Sequence, residues 1–226
     1  MNKLILIYNE LLKKYGFQGW WPILGLNGEN PTKTGSIKGY HPKDYSFPKN
    51  NSQIFQICVG AILAQNTNWV NAEKSLVNLK KNNLLAPKKI IKNFLLVKDL
   101  IKPSGYFNIK TDYLKNFSEF FIDLKSVPSR NELLKIKGIG KETADSILLY
   151  AFKQPVFVVD SYTKRIVNNL GLIKSNDYEK VRFFFENNLP KNYVLFSEFH
   201  ALLVEHAKHF YLKKNLIKND FLLKII

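Results

Sequence analysis

Between two apolar helical stretches, Leu133-Leu134-Lys135-Ile136-Lys137-Gly138-Ile139-Gly140-Lys141-Glu142-Thr143-Ala144 sets two glycines on either side of one isoleucine. This turn narrows the fold more than any other segment. Apolar spacing predicts a helix over 130–136 before it and another carried by the Ala144, Ile147, Leu148, Ala151 stripe after it. Gly138 and Gly140 are free to take positive φ and bear no side chain, so a second backbone can come close. The first amides of the following helix point outward with the positive end of its dipole behind them, a sequence-blind seat for phosphate. Lys137 and Lys141 add charge. The same residues also suit an ordinary αα-hairpin.

Charge suggests what such a seat would meet. The 226 residues include 34 Lys plus Arg against 18 Asp plus Glu, a formal net charge of +16. That excess favours polyanions, chiefly nucleic acid, through counterion release. A Lys-rich surface from biased composition would give the same total, since only Arg130, Arg165 and Arg182 are arginines. An apolar share of 46% with 14% aromatics can support a packed core and excludes wholesale disorder. Cys58 is the single cysteine, which rules out a disulfide framework or thiolate cluster. Apolar runs such as Leu4–Tyr8 are too short to span a bilayer, and no secretory signal is legible. The expectation is a monomeric, cytoplasmic, DNA-associated protein with no membrane partner.

Periodicity predicts helices over 2–15, from Ser52 through Ile62, over Trp69–Leu79, 87–100, 108–124, Ser161–Leu170 (stopped by Gly171), Tyr178–Asn187 and Tyr193–Lys214. Glycines and prolines make 25–50 an irregular loop, whose Tyr40, His41, Tyr45 and Phe47 predict that it packs. Val156–Val159 reads as short, apolar and extended, and Asp160 follows it directly ahead of a helix. That is a preferred N-cap position, and equally a carboxylate at the mouth of an apolar wall. The chain reads as all-α.

Lys137 through Asp145, followed by Pro155 and Val158-Val159-Asp160, closely resembles the helix-hairpin-helix–Gly/Pro–Asp superfamily of DNA glycosylases. Gly60 through Thr67 resembles the helix and wedge of its endonuclease III branch, and Pro103 through Lys110 adds a third match. Gly19-Trp20-Trp21-Pro22 is similar to the 3-methyladenine glycosylase group within that branch. The resemblance implies two helical lobes with the active-site cleft between them. One lobe joins 1–51 to 146–226; the other, a helical barrel over 52–145, ends in the helix-hairpin-helix at 133–145.

Residue by residue, the resemblance makes Asp160 the catalytic carboxylate. Trp20, Trp21, Pro22, Trp69 and Lys208 become the pocket for an extruded base, with Trp69 the preferred stacking ring. Core tryptophans and a solvated lysine are the plainer alternatives. Gln65 would be the wedge, or simply a helix-capping amide. Lys137, Gly138, Ile139, Gly140, Lys141 and Thr143 would grip DNA, and the carbonyls of Leu134, Ile136 and Ile139 would hold a monovalent cation, Na+ or K+. Bifunctional members carry a lysine nucleophile where this chain has Glu142, which cannot form a Schiff base. The four-cysteine iron–sulfur cluster of many relatives is excluded, and packing by Phe210, Tyr211, Leu212 and Leu216 is expected in its place. His206 and His209 fit core or surface roles better than a metal pair. The implied activity is monofunctional excision of alkylated purines, 3-methyladenine first, from damaged duplex DNA. The alternatives are an oxidised-pyrimidine or mismatch glycosylase with lyase activity, or a helix-hairpin-helix DNA-binding module without chemistry.

Overall fold

The computed structural model describes residues 2–36 and 38–226. The fold is all-α: α1 (Lys3–Tyr15), α2 (Asn51–Leu63), α3 (Trp69–Lys81), α4 (Pro87–Lys92), α5 (Phe94–Leu100), α6 (Phe107–Ile122), α7 (Arg130–Lys135), α8 (Lys141–Ser146), α9 (Ser161–Asn169), α10 (Tyr178–Asn188) and α11 (Tyr193–Phe210). Short polar residues start most of them. Asn50, Asn68, Asp160, Asp177 and Asn192 each accept a first-turn amide, and Ser129 with Glu132 closes a capping box on α7.

Two helices buried on nearly every side form the spines of the two lobes. Phe55 through Leu63 of α2 are all buried, and so is α11 from Phe196 to Ala207 except at Val204. Helices α3, α6 and α8 pack against α2, while α1 and α9 pack on α11. After α8 the chain winds into a wider turn, Ile147–Ala151, closed by Phe152 N–H donating to the Ile147 carbonyl at 3.2 Å. This wider turn packs on both spines, so the lobes share one helical rod that runs unbroken through residues 145 and 146.

Several boundaries differ from the sequence expectation. The helix expected over 87–100 is two, divided at Asn93, whose side chain donates back to the Lys89 carbonyl (2.8 Å) while its backbone leaves helical geometry. Helix α11 stops at Phe210 rather than 214, and 3₁₀ turns follow at Lys214–Asn219 and Phe221–Lys224.

The C-terminal segment is fastened differently from expectation as well. Tyr211 is buried, but Leu212 is 58% exposed. Polar contacts through the buried Asp220 complete the fastening: Tyr211 donates to it at 2.7 Å, and His206 Nε2 lies 3.0 Å from its Oδ1. The loop over 25–50 packs as expected and is tied to α11 and α3 by carboxylates. Glu198 accepts the Gln18 amide (2.5 Å) and the Tyr45 hydroxyl (3.0 Å), Glu205 accepts Thr34 Oγ1 (2.7 Å), and Glu73 accepts Ser36 Oγ (2.6 Å).

Candidate active site

The hairpin between α7 and α8 is built around two glycines with different reasons to be glycine. Gly138 has φ +100°, and a Cβ placed on it would fall 2.1 Å from the ring of Tyr113. Gly140 corrects the expectation of positive φ: as N-cap of α8 it is extended at φ −88°. A Cβ there would meet nothing within 4 Å, so what glycine preserves is open approach from outside the protein. Ile139 is buried and pins the turn, while Lys137 and Lys141 are exposed. Gln65 is folded back, its amide donating at 2.9 Å both to the Gly138 carbonyl and to Thr143 Oγ1. Thr143 is itself buried, and its hydroxyl is engaged by Gln65. The Leu134 carbonyl lies in the last turn of α7, where helix carbonyls lack intrahelical partners. The Ile136 carbonyl accepts Ile139 N–H at 3.0 Å and keeps a second lone pair.

An ion-pair network ties the hairpin to the segment that delivers Asp160. Asp145 on α8 takes a two-point contact from Arg130 (2.6 and 3.0 Å) and the Tyr178 hydroxyl at 2.8 Å. Arg130 and Arg182 both reach Glu179 at 2.9 Å, and Arg182 reaches Glu186 at 2.7 Å. Burial opposes the charge on Glu179, but hydrogen bonds from Arg182 and Arg130 overcome it and hold the carboxyl down at about 2. Glu186 then accepts Phe157 N–H (2.9 Å), and Phe157 stacks on Phe185 with centroids 3.9 Å apart. The third arginine, Arg165, donates to the Tyr211 carbonyl at 2.6 Å. Arg130 and Arg182 are held in this network and Arg165 stays exposed while bonded to that carbonyl, so most of the outward-facing positive charge is lysine.

Phe157, Val158 and Val159 are buried, and Asp160 emerges from them at the edge of a cavity of about 620 Å³. Its Oδ1 accepts Thr163 N–H at 2.7 Å, so the N-cap and the site-facing readings both hold. Trp20, Trp21, Trp69 and Tyr40 line the cavity together. Trp69 meets Trp20 and Trp21 edge-on, with centroids at 5.0 and 5.1 Å. Pro22 is buried but does not line the cavity, so the base-pocket role expected for it is not supported by its placement.

The polar end of the cavity is Glu205, which is buried, with Lys208 Nζ at 2.7 Å and His209 Nε2 at 2.9 Å. Lys208 also reaches Thr34 Oγ1 at 3.2 Å, so it is an ion-paired cavity residue rather than a solvated one. Hydrogen bonds from Lys208, Thr34 and His209 more than offset burial and keep Glu205 below the usual carboxylate range. His206 and His209 thus serve separate carboxylates, and among the described residues no cluster of three or more His, Cys, Asp or Glu is placed to hold a metal ion.

Glu142 lines the same cavity as Asp160. It keeps solvent-exposed surface, and desolvation where it lines the cavity, with the Asp160 charge nearby and only partial relief from Lys164, pushes its carboxyl up to about 7. Sequence reasoning missed Glu205, Glu198 and His200. Their signal is three titratable residues from Phe196 to Glu205, a helical stretch otherwise apolar but for Ser197, next to a loop with no regular structure to satisfy them.

Residues 59–191 match the family described as HhH-GPD superfamily base excision DNA repair protein. The chain belongs to this superfamily. It is a DNA glycosylase of the endonuclease III type. A protein of Methanocaldococcus jannaschii whose provisional name is DNA repair glycosylase is 39% identical, over 94% of this chain and 90% of its own length. Endonuclease III of Thermotoga maritima is 29% identical, over 79% of this chain and 85% of the enzyme. Among solved structures, the 3-methyladenine DNA glycosylase of H. pylori bound to 1,N6-ethenoadenine superposes with a TM-score of 0.69 at 27% identity. That match covers 92% of this glycosylase and 98% of the other chain. A non-covalent endonuclease III–DNA complex shares the fold at a TM-score of 0.75 and 18% identity. No described helix is long and apolar enough to cross a membrane.

Proposed function

We propose that this glycosylase is monofunctional and hydrolyses the N-glycosidic bond of alkylated purines, 3-methyladenine first, in damaged duplex DNA. The observation that carries the reading is the pairing of an aromatic cage with two carboxylates, Asp160 and Glu142, in one cavity that neither hairpin lysine, Lys137 or Lys141, lines. Alkylation at N3 or N7 makes a purine cationic, and tryptophan faces attract a cation by roughly 0.5–2 kcal/mol. The charged base is already a good leaving group, so the protein's task is to stabilise the oxocarbenium-like sugar and deliver water. Asp160 supplies the anion for both. Glu142 occupies the lysine position of lyases, and the neighbouring Lys141 is turned to Glu179 (3.3 Å) outside the cavity lining.

The turn at Gly138–Gly140 would take a phosphate on its main-chain amides, with a monovalent cation on the carbonyls of Leu134, Ile136 and Ile139 adding charge beside it. Gln65 would leave its hairpin bonds to fill the gap left by the extruded nucleotide. The likeness to the H. pylori enzyme supports the substrate class. The test is release of bases from methylated DNA, separated by chromatography, together with borohydride treatment of enzyme on lesion duplex. Free 3-methyladenine with no trapped protein–DNA adduct is expected. Release of oxidised pyrimidines, or a trapped adduct, would move the enzyme to the lyase class.

A further inference from the structure

His200 lines the cavity but belongs neither to the aromatic cage nor to the hairpin. Its ring is fixed from one side. Nδ1 lies 2.6 Å from the Tyr150 hydroxyl, which also lies 3.2 Å from the Ser197 carbonyl. The hydroxyl has one proton for two contacts: given to Ser197 it leaves the imidazole hydrogen on Nδ1, given to Nδ1 it leaves that hydrogen on Nε2. In either tautomer Nε2 keeps one hydrogen-bonding position to satisfy. That nitrogen is buried, has no hydrogen-bond partner among the described residues, and lies 3.9 Å from Asp160 Oδ2. The other carboxylate oxygen is committed to Thr163 N–H. Burial holds the imidazole below its ordinary range although Asp160 pulls the other way.

Nε2 and Oδ2 therefore face each other across a gap too wide for a direct hydrogen bond, and a buried imidazole nitrogen left without a partner is costly. A bridging water would supply one. Two hydrogen bonds of about 2.8 Å to one oxygen span this gap at an angle of about 90°.

We propose that His200 Nε2 and Asp160 Oδ2 together hold the water that attacks the sugar, Asp160 accepting one of its protons. The inference deepens the glycosylase reading and rests on it. In the step itself the C1′–N bond breaks and its electron pair leaves on the base nitrogen. The water oxygen bonds to C1′, one water proton passes to the Asp160 carboxylate, and the other stays on the new C1′ hydroxyl. His200 orients the nucleophile; Asp160 also stabilises the cation. That division of labour separates them experimentally.

The experiment compares wild type, His200→Phe, His200→Gln and Asp160→Asn in two measurements. One is single-turnover release of purines from methylated duplex DNA. The other is affinity for a duplex carrying a cationic pyrrolidine abasic analogue, which presents the positive charge but needs no water. His200→Phe should slow release by about 10²-fold while binding the analogue within about twofold of wild type, and His200→Gln, which restores a hydrogen-bonding group, should recover part of the rate. Asp160→Asn should lose both the rate and the extra affinity that the analogue's charge gives over ordinary duplex. Release by His200→Phe within threefold of wild type overturns the proposal, and so does a parallel loss of analogue affinity, which would mark a structural role. If wild type itself releases no methylated purine, the substrate reading fails instead. The water site is then decided by a crystal structure: an ordered water within hydrogen-bond distance of both atoms supports it, and an imidazole turned from Asp160 overturns it.

Discussion

Alanine at Gly138 and at Gly140 is the same change two residues apart, and the hairpin geometry assigns it opposite consequences. At Gly138 an L-residue must hold φ +100°, which costs about 1–2 kcal/mol. Its methyl would also fall 2.1 Å from the Tyr113 ring, and displacing a packed ring costs about 1–3 kcal/mol more. The sum, roughly 2–5 kcal/mol, corresponds to a Tm fall on the order of 5–15 °C for a chain of this size. At Gly140 the backbone is extended and the added methyl meets nothing within 4 Å, so Tm should move by no more than about 1–2 °C. If that open space is where a DNA backbone comes close, Gly140→Ala should nonetheless weaken lesion-duplex binding by tenfold or more. Thermal denaturation followed by circular dichroism, paired with fluorescence anisotropy on the same preparations, reads both effects. A stable Gly140→Ala protein that binds DNA like wild type would refute the backbone seat. Equal Tm losses for the two variants would refute the geometric argument itself.

Other parts of the molecule give independent checks. Buried Lys110 donates to the carbonyls of Leu63 and Ser104, both at 2.7 Å, so Lys110→Met should cost roughly 2–5 kcal/mol by leaving two acceptors unpaired. Burial lowers that ammonium to about 8, so the unfolded chain binds more protons between pH 8 and about 10.5. Wild-type stability should therefore gain from this group as pH rises through that window, and urea titrations of the Met variant should lack the gain. Glu142→Lys would place an amine in the cavity beside the site, and borohydride should then trap a protein–DNA adduct that wild type does not form. Lys137→Ala should reduce the salt slope of DNA binding by about 0.9 without changing lesion preference; an unchanged slope would remove Lys137 from the phosphate contacts.

What could be read in advance follows physical locality. The start of α9 was legible because Asp160 acts through a side-chain bond to the amide of Thr163, three residues away. The hairpin was legible because two glycines beside a buried isoleucine leave the chain few conformations. Gly140 was misread, because a glycine kept for open approach looks the same in sequence as one kept for positive φ. The widened turn at Ile147–Ala151 was hidden, since its apolar residues keep a regular helical stripe. Least legible were the contacts made across long sequence separation. Thr34 with Glu205, Tyr45 with Glu198 and Arg130 with Glu179 each depend on the finished fold, and no periodicity announces them. Asp160 was found through its motif and His200 was not, because a histidine in an apolar helix acquires meaning only when its neighbour across the cavity is known.

The central claim is that one carboxylate, fixed at the cavity edge by the helix it caps, drives loss of an already cationic base. Its most direct measurement is the burst of free 3-methyladenine from methylated duplex, with enzyme in excess, for wild type and Asp160→Asn at matched DNA occupancy. The account predicts a rapid burst from wild type, a fall of at least a thousandfold in the variant, and undiminished duplex binding. A variant that releases the base at near wild-type speed would show that another group performs the chemistry.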